Sequence, residues 1–155
     1  MSHQRPPTIS PQAAARWQSL PATESPWLHE EVARRMEERL AWIKRQPSAW
    51  AHWAPLRGGL QAHQLLGERY PAAKIHLVEA DEWQAKRAGR ALEKPWWTAK
   101  RWTGPSLEWG VPNDGAVQML WANMSLHMSA DPQTLMAQWH RALAVDGFLM
   151  FSCLG

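Results

Sequence analysis

The stretch Ala116–Met124, AVQMLWANM, constrains the fold most. Only Gln118 and Asn123 interrupt its apolar run, and no 3.6-residue period runs through it. A strand of this kind is buried on both faces, and strands buried on both faces belong to parallel sheets covered by helices. The residues that follow agree. Asp131 can cap a helix and Pro132 suits its first turn, where a missing N–H leaves no bond unmade. Leu135, Met136, Trp139 and Leu143 recur at helical spacing as the inner side of that helix. Asp146-Gly147 then reads as a turn into a last apolar strand, expected near 147–153.

Upstream, the pattern repeats. Residues 1–24 are rich in Pro, Ser and Ala and read as a flexible arm, with room for a short helical turn at 13–20. The segment from Ser25 to Pro47 predicts a helix. Ser25 is its expected cap, Leu28, Val32, Met36, Leu40 and Ile43 its apolar stripe, and Pro47 its end. A short strand near 49–54 follows, then a turn at Arg57-Gly58-Gly59 and a helix whose Leu60, Leu65 and Leu66 face a sheet. A second strand is expected at 75–79, with acidic Glu79 and Asp81 at its C-terminal edge, and a helix after Glu82. The Trp-rich stretch 93–115 reads as irregular, with at most one short strand near 96–100. Strand and helix alternate, which predicts an α/β domain over 25–155: a doubly wound, mostly parallel sheet with helices on both faces. Right-handed crossovers bring every strand C-terminus to one edge, where such sheets bind ligands.

Composition narrows the function. The 155 residues suffice for one domain, and 45% hydrophobic content excludes wholesale disorder. No run reaches the roughly 18 apolar residues of a membrane span, and the N-terminus has no apolar signal core, so a cytoplasmic protein without a membrane partner is expected. Cys153 is the only cysteine, which removes an internal disulfide and a Cys-based zinc site. His52 and His63 fall on different elements and no HxxxH occurs, so no metal is expected. The net charge of +3 permits an acidic partner without requiring one. There are 12 Trp against one Tyr and two Phe, a bias that suits packing and interfaces. The stretch KPWWTAKRWTGP interleaves cations with Trp as base-stacking platforms do, but only in composition, and nucleic acid is not the expected partner.

Three segments, at this spacing, resemble one family. WLHEEVARRMEERLAWIK is similar to the N-terminal helix of the malonyl-acyl-carrier-protein O-methyltransferases of biotin synthesis. The run from Val111 to Gly155 is similar to the fourth strand, following helix and fifth strand of these class I S-adenosylmethionine-dependent enzymes, and YPAAKIHLVEAD to their second strand. The resemblance implies a Rossmann-like sheet of seven strands, of which the C-terminal ones are missing after residue 155. It implies S-adenosylmethionine as cofactor, acyl carrier protein as partner, and methylation of a malonyl carboxylate. A carboxylate is already a nucleophile at neutral pH, so the reaction needs alignment rather than a general base, and His127 need not be catalytic.

Carried over residue by residue, the resemblance gives a candidate site and its departures. The family's first motif is a strand ending in an acid, followed by three glycines at alternate positions. In HWAPLRGG the acid position falls on Trp53, the first two glycines on Pro55 and Arg57, and the third on Gly59, with Gly58 beside it. Glu79 stands where a carboxylate takes the two ribose hydroxyls. Glu108 is the candidate acid near the adenine, and Asn123 lies at the ligand edge after the fourth strand. Gln118 replaces the aspartate that opens that strand. The expected cofactor-binding set is therefore Gly58, Gly59, Glu79, Glu108 and Asn123. The altered glycine motif also supports an alternative: a catalytically inactive methyltransferase-like domain that binds or regulates a protein.

Overall fold

The computed structural model describes residues 8–22, 24–93 and 106–155. Its strands are β1 (Ala49–Trp53), β2 (Lys74–Val78), β3 (Leu107–Trp109), β4 (Val117–Ala122) and β5 (Leu143–Phe151). Its helices are α1 (Pro11–Ser19), α2 (Trp27–Arg39), α3 (Pro55–Gly58), α4 (Leu60–Arg69), α5 (Glu82–Leu92) and α6 (Pro132–Ala142). The sheet has the order β3-β2-β1-β4-β5 and every pairing is parallel. Trp53 lies opposite Val78, His52 opposite Trp121, and Ala122 opposite Phe151, so the strand ends align at one edge.

Both faces are packed, as the apolar β4 requires. On one face Trp50, Ile75, Leu77, Met119 and Trp121 meet Ala33, Met36 and Leu40 from the α2 side and Ala62 and Leu66 of α4. On the other, Ala49, Ala51, Leu120 and Ala122 meet Trp139 and Ala142 of α6. The period-two alternation of Met119/Trp121 and Leu120/Ala122 sends successive residues into the two cores. Trp50, Trp121 and Trp139 are fully buried, so part of the Trp bias is core volume. On α6, Met136 is exposed rather than inward, and Ala142 takes the inner place.

Several boundaries differ from expectation. Helix α2 passes into a 3-10 turn at Leu40–Trp42, and Ile43 is already extended, so the helix stops well before Pro47. Pairing β2 through Leu107–Trp109 puts the third strand later than the stretch 96–100, which lies outside the described residues. The last strand begins at Leu143, not 147, and carries an irregularity at Asp146-Gly147 where the turn was expected. Residues 11–19 of the N-terminal arm are a full helix, capped by Ser10 through the Ala13 amide. His52 and His63, distant in sequence reasoning, meet in the core: their Nδ1 atoms are 3.2 Å apart and their rings stack. Burial first, and His63 second, hold the His52 imidazole well below its ordinary range, so it is neutral there. Among the described residues, no group of three or more His, Cys, Asp or Glu is placed to hold a metal ion.

Ser25 caps a different helix from the one expected. The residue at the α2 N-cap is Pro26, which has no side-chain donor or acceptor to offer. The Ser25 hydroxyl instead donates to the Leu56 carbonyl and accepts from the Leu60 amide, each at 3.0 Å. Glu30 of α2 accepts from the next two amides, Gln61 and Ala62, at 3.2 and 3.4 Å. The N-cap of α4 is Gly59, which has no side chain, so α2 supplies the capping that the local sequence lacks. A Cβ on Gly59 would lie 3.1 Å from Glu30 and 3.3 Å from Ala33, at a φ of +135°. Glu30→Ala is therefore expected to cost about 1 kcal/mol in urea unfolding, with Glu30→Gln retaining much of that stability.

Candidate functional site

A cleft of about 420 Å³ opens at the aligned strand C-termini. The ends of β1, β2 and β4 form its floor through Trp53, Val78, Glu79 and Asn123. Helix α1 lies over it, with Ala14, Trp17 and Gln18 among its walls. The helix and the residues flanking it are tied down at three places. The Arg57 guanidinium donates to the Trp17 and Leu20 carbonyls at 2.8 and 2.6 Å and lies 4.5 Å over the Trp17 ring. Gln84 donates to the Gln18 carbonyl at 2.6 Å, and Thr8 to the Ala130 carbonyl at 3.0 Å.

The five candidate residues separate. Gly58, Glu79 and Asn123 line the cleft. Gly58 is where backbone meets backbone: an added Cβ would lie 3.1 Å from the Asn123 carbonyl oxygen. Asn123 is fully buried and its side chain is engaged. It donates to the His29 carbonyl at 2.8 Å and to the Gly58 carbonyl, and accepts from the Ser152 hydroxyl at 2.6 Å. Gly59 lies behind the cleft against α2. Glu108 sits on β3 opposite His76, where its carboxylate pairs with Lys74 at 2.6 Å, away from the cleft walls. Gln118 lies at the opposite end of the sheet and accepts from the Ser48 and Ala49 amides, which fastens β4 to the start of β1.

The replaced motif positions each have a packing role. Trp53 meets Trp139 edge-on at 5.8 Å between ring centroids. Pro55 opens the short helix α3, and its Leu56 amide donates to Glu79 Oε1 at 2.7 Å. Ala54, just before it, has a φ of 53°, and Met124 after β4 has a φ of 52°. Both left-handed residues line the cleft, and each such non-glycine conformation costs about 1–2 kcal/mol.

Among the described residues, three side-chain atoms on residues lining the cleft are buried without a hydrogen-bond partner: Arg57 Nε, Glu79 Oε2 and Ser125 Oγ. Sequence reasoning reached only Glu79. Arg57 was legible as an intrusion in a glycine motif, but not as a donor. Burial pushes the Glu79 carboxyl up from the ordinary 4.5 to about 7, against the opposing pull of the Leu56 amide and the Arg57 guanidinium. The carboxyl is held above its unfolded value, so the stability that its proton brings is full below about pH 4.5. It is lost as pH rises through about 7. Two outcomes follow. Glu79→Gln should melt higher than the unaltered chain at pH 8, with the advantage shrinking toward pH 5. Ala54→Gly should raise the melting temperature by about 2–4 °C, as relief of about 1 kcal/mol would.

The comparisons with known proteins agree with this geometry. No family model matches the chain. It is 30% identical over 135 residues to the malonyl-[acyl-carrier protein] O-methyltransferase of Laribacter hongkongensis (strain HLHK9), covering 83% of this chain and 44% of that protein. It is also 30% identical over 142 residues to the enzyme of that name from Gallionella capsiferriformans (strain ES-2), covering 83% and 45%. The chain thus spans less than half the length of these curated relatives. Among solved structures, the [4+2]-cyclase SpnF aligns with a TM-score of 0.57 at 16% identity, over 77% of this chain and 43% of that one. An S-adenosylmethionine-dependent methyltransferase from Mesorhizobium loti aligns with a TM-score of 0.51 at 17% identity, over 79% and 52%. At such identities the structural likeness speaks for the fold alone. The chain has the α/β fold of the class I S-adenosylmethionine-dependent methyltransferases, and over the part it spans it is similar in sequence to the malonyl-[acyl-carrier protein] O-methyltransferases.

Proposed function

We propose that the cleft binds S-adenosylmethionine and that the chain serves O-methylation of a malonyl group on acyl carrier protein, within biotin synthesis. One observation carries the cofactor reading. Glu79 follows β2 at the cleft; the Leu56 amide fixes Oε1, the Ala80 amide lies close enough to favour the charged carboxylate, and Oε2 is buried with no well-formed hydrogen bond among the described residues. A buried acceptor without a donor is rare in folded proteins, and a ribose hydroxyl supplies the donor. The Gly58 backbone, pressed on Asn123, offers the close approach that a nucleoside needs. The substrate reading rests on the named relatives and on the resemblance carried by the segments from Trp27 and from Val111.

When bound, S-adenosylmethionine supplies an electrophilic methyl group. The residues of this chain bind, align and exclude water. Glu79 accepts from the sugar, the Gly58 backbone sets the distance to the cofactor, and Trp17 and Trp53 supply aromatic surface to the cleft lining. Asn123 holds the loop after β1 against the ends of β4 and β5, which fixes the geometry on which an alignment-driven transfer depends. The relevant compartment in this reading is the cytoplasm.

A second reading has its own observation. The N-terminal amides of α4 already serve Ser25 and Glu30, and that of Leu56 serves Glu79. Backbone donors that nucleotide loops usually turn toward the ligand thus have protein partners, as expected of a methyltransferase-shaped domain that binds a protein instead. Calorimetric titration with S-adenosylmethionine and S-adenosylhomocysteine decides between the two. The expected result is one-to-one binding, weakened about 10- to 100-fold by Glu79→Ala, as loss of a charge-assisted hydrogen bond would do. A folded chain that takes up neither ligand would support the protein-binding domain.

A further inference from the structure

Arg57 stands where a glycine motif would have no side chain, and its surroundings are unusual for a cation. One end of its guanidinium is held by the Trp17 and Leu20 carbonyls, at the C-terminal end of α1. That placement suits a cation, because unpaired carbonyls gather at a helix C-terminus. These partners are neutral, however. Among the described residues Arg57 makes no ion pair, and its Nε has neither a partner nor solvent. Among the described residues, the other ionisable groups lining the cleft are His29 and Glu79. His29 Nδ1 is already engaged with the Arg57 carbonyl at 2.7 Å. Glu79 is pushed by burial toward its neutral form. Arg57 and Glu79 attract one another without forming a direct ion pair, and with Nη2 spent on two carbonyls and Nε enclosed, Nη1 is the guanidinium nitrogen left to meet a carboxylate.

We propose that Arg57 is a specificity-determining residue that pairs with the carboxylate at the amino-acid end of the cleft's nucleoside ligand. The inference rests on the S-adenosylmethionine reading above. It replaces the backbone cradle lost at Pro55 and Arg57 with one side chain, held in place by α1. The rival role for Arg57 is to anchor α1 and nothing more.

Two ligands separate these roles. S-adenosylhomocysteine carries the carboxylate. Its decarboxylated analogue, 5′-deoxy-5′-(3-aminopropylthio)adenosine, keeps the adenosine, the sulfur and the ammonium group. Both are titrated calorimetrically into the unaltered chain, Arg57→Gln, Arg57→Lys and Trp17→Ala, each shown to be folded by circular dichroism and a cooperative melt. The unaltered chain is expected to prefer S-adenosylhomocysteine by at least about tenfold, the worth of one charge-assisted pair. Arg57→Gln should bring that ratio close to one, Arg57→Lys should keep part of it, and Trp17→Ala should weaken both ligands alike with the ratio preserved. An unchanged ratio in Arg57→Gln, or equal affinities in the unaltered chain, would overturn the role of Arg57 while leaving the cofactor reading intact. If the unaltered chain binds neither ligand, the cofactor reading fails and the inference fails with it.

Discussion

Asn123 is the joint on which the ligand edge depends. It follows β4 directly, is fully buried, and reaches three other parts of the chain: the His29 carbonyl in α2, the Gly58 carbonyl in α3 and the Ser152 hydroxyl just after β5. A primary amide offers two donors and one carbonyl oxygen, so a single side chain can satisfy two carbonyls and a hydroxyl at once. Buried carbonyls without such a partner would be expensive. The joint has a steric condition as well. A Cβ on Gly58 would lie 3.1 Å from the Asn123 carbonyl oxygen, so a side chain there would press the two loops apart by a few tenths of an ångström. The loops after β1, β4 and β5 are thereby set relative to one another, and the cleft takes its shape from that agreement.

A second constraint acts behind the cleft. Gly59 leaves α4 without a local cap, and Ser25 and Glu30 supply it from the neighbouring helix. The same contacts dock α2 on α4, reinforced by the Glu37–Arg69 ion pair at 2.5 Å. Capping and packing are thus one arrangement. Its consequence reaches the site, since the amides at the start of α4 have protein partners, and the polar atoms left over belong to side chains: Arg57, Glu79 and Ser125. The positive φ values at Ala54 and Met124 fall at the same edge, where loops bend sharply to leave the strands.

Much of the architecture was legible in the residues. The apolar run of β4, the Asp131-Pro132 start of α6 and the strand at 74–78 gave a parallel sheet, because burial on both faces leaves a pattern that no amphipathic element shares. The third strand was not legible. Leu107–Trp109 is only three residues long and exposed throughout, and so short an edge strand leaves no periodicity to read. The His52–His63 contact was hidden for another reason. It spans two elements, and only the docking of α4 on the sheet brings the rings together. Ser25 looked like a cap and was one, for a helix 35 residues further along.

The sequence by itself determined the layers, the strand–helix alternation and the edge at which strand ends gather, since these follow from local hydrophobic patterns and from the handedness of crossovers. It also marked Glu79 as a carboxylate at that edge. Only the tertiary structure decided which polar groups are left to face the cleft. Gly59 and Glu108 stood beside Glu79 as candidates along the chain, yet one packs on α2 and the other pairs with Lys74. Arg57 looked like an obstruction until α1 was laid across it. Whether a buried donor or acceptor is satisfied depends on neighbours distant in sequence, and no local pattern records them.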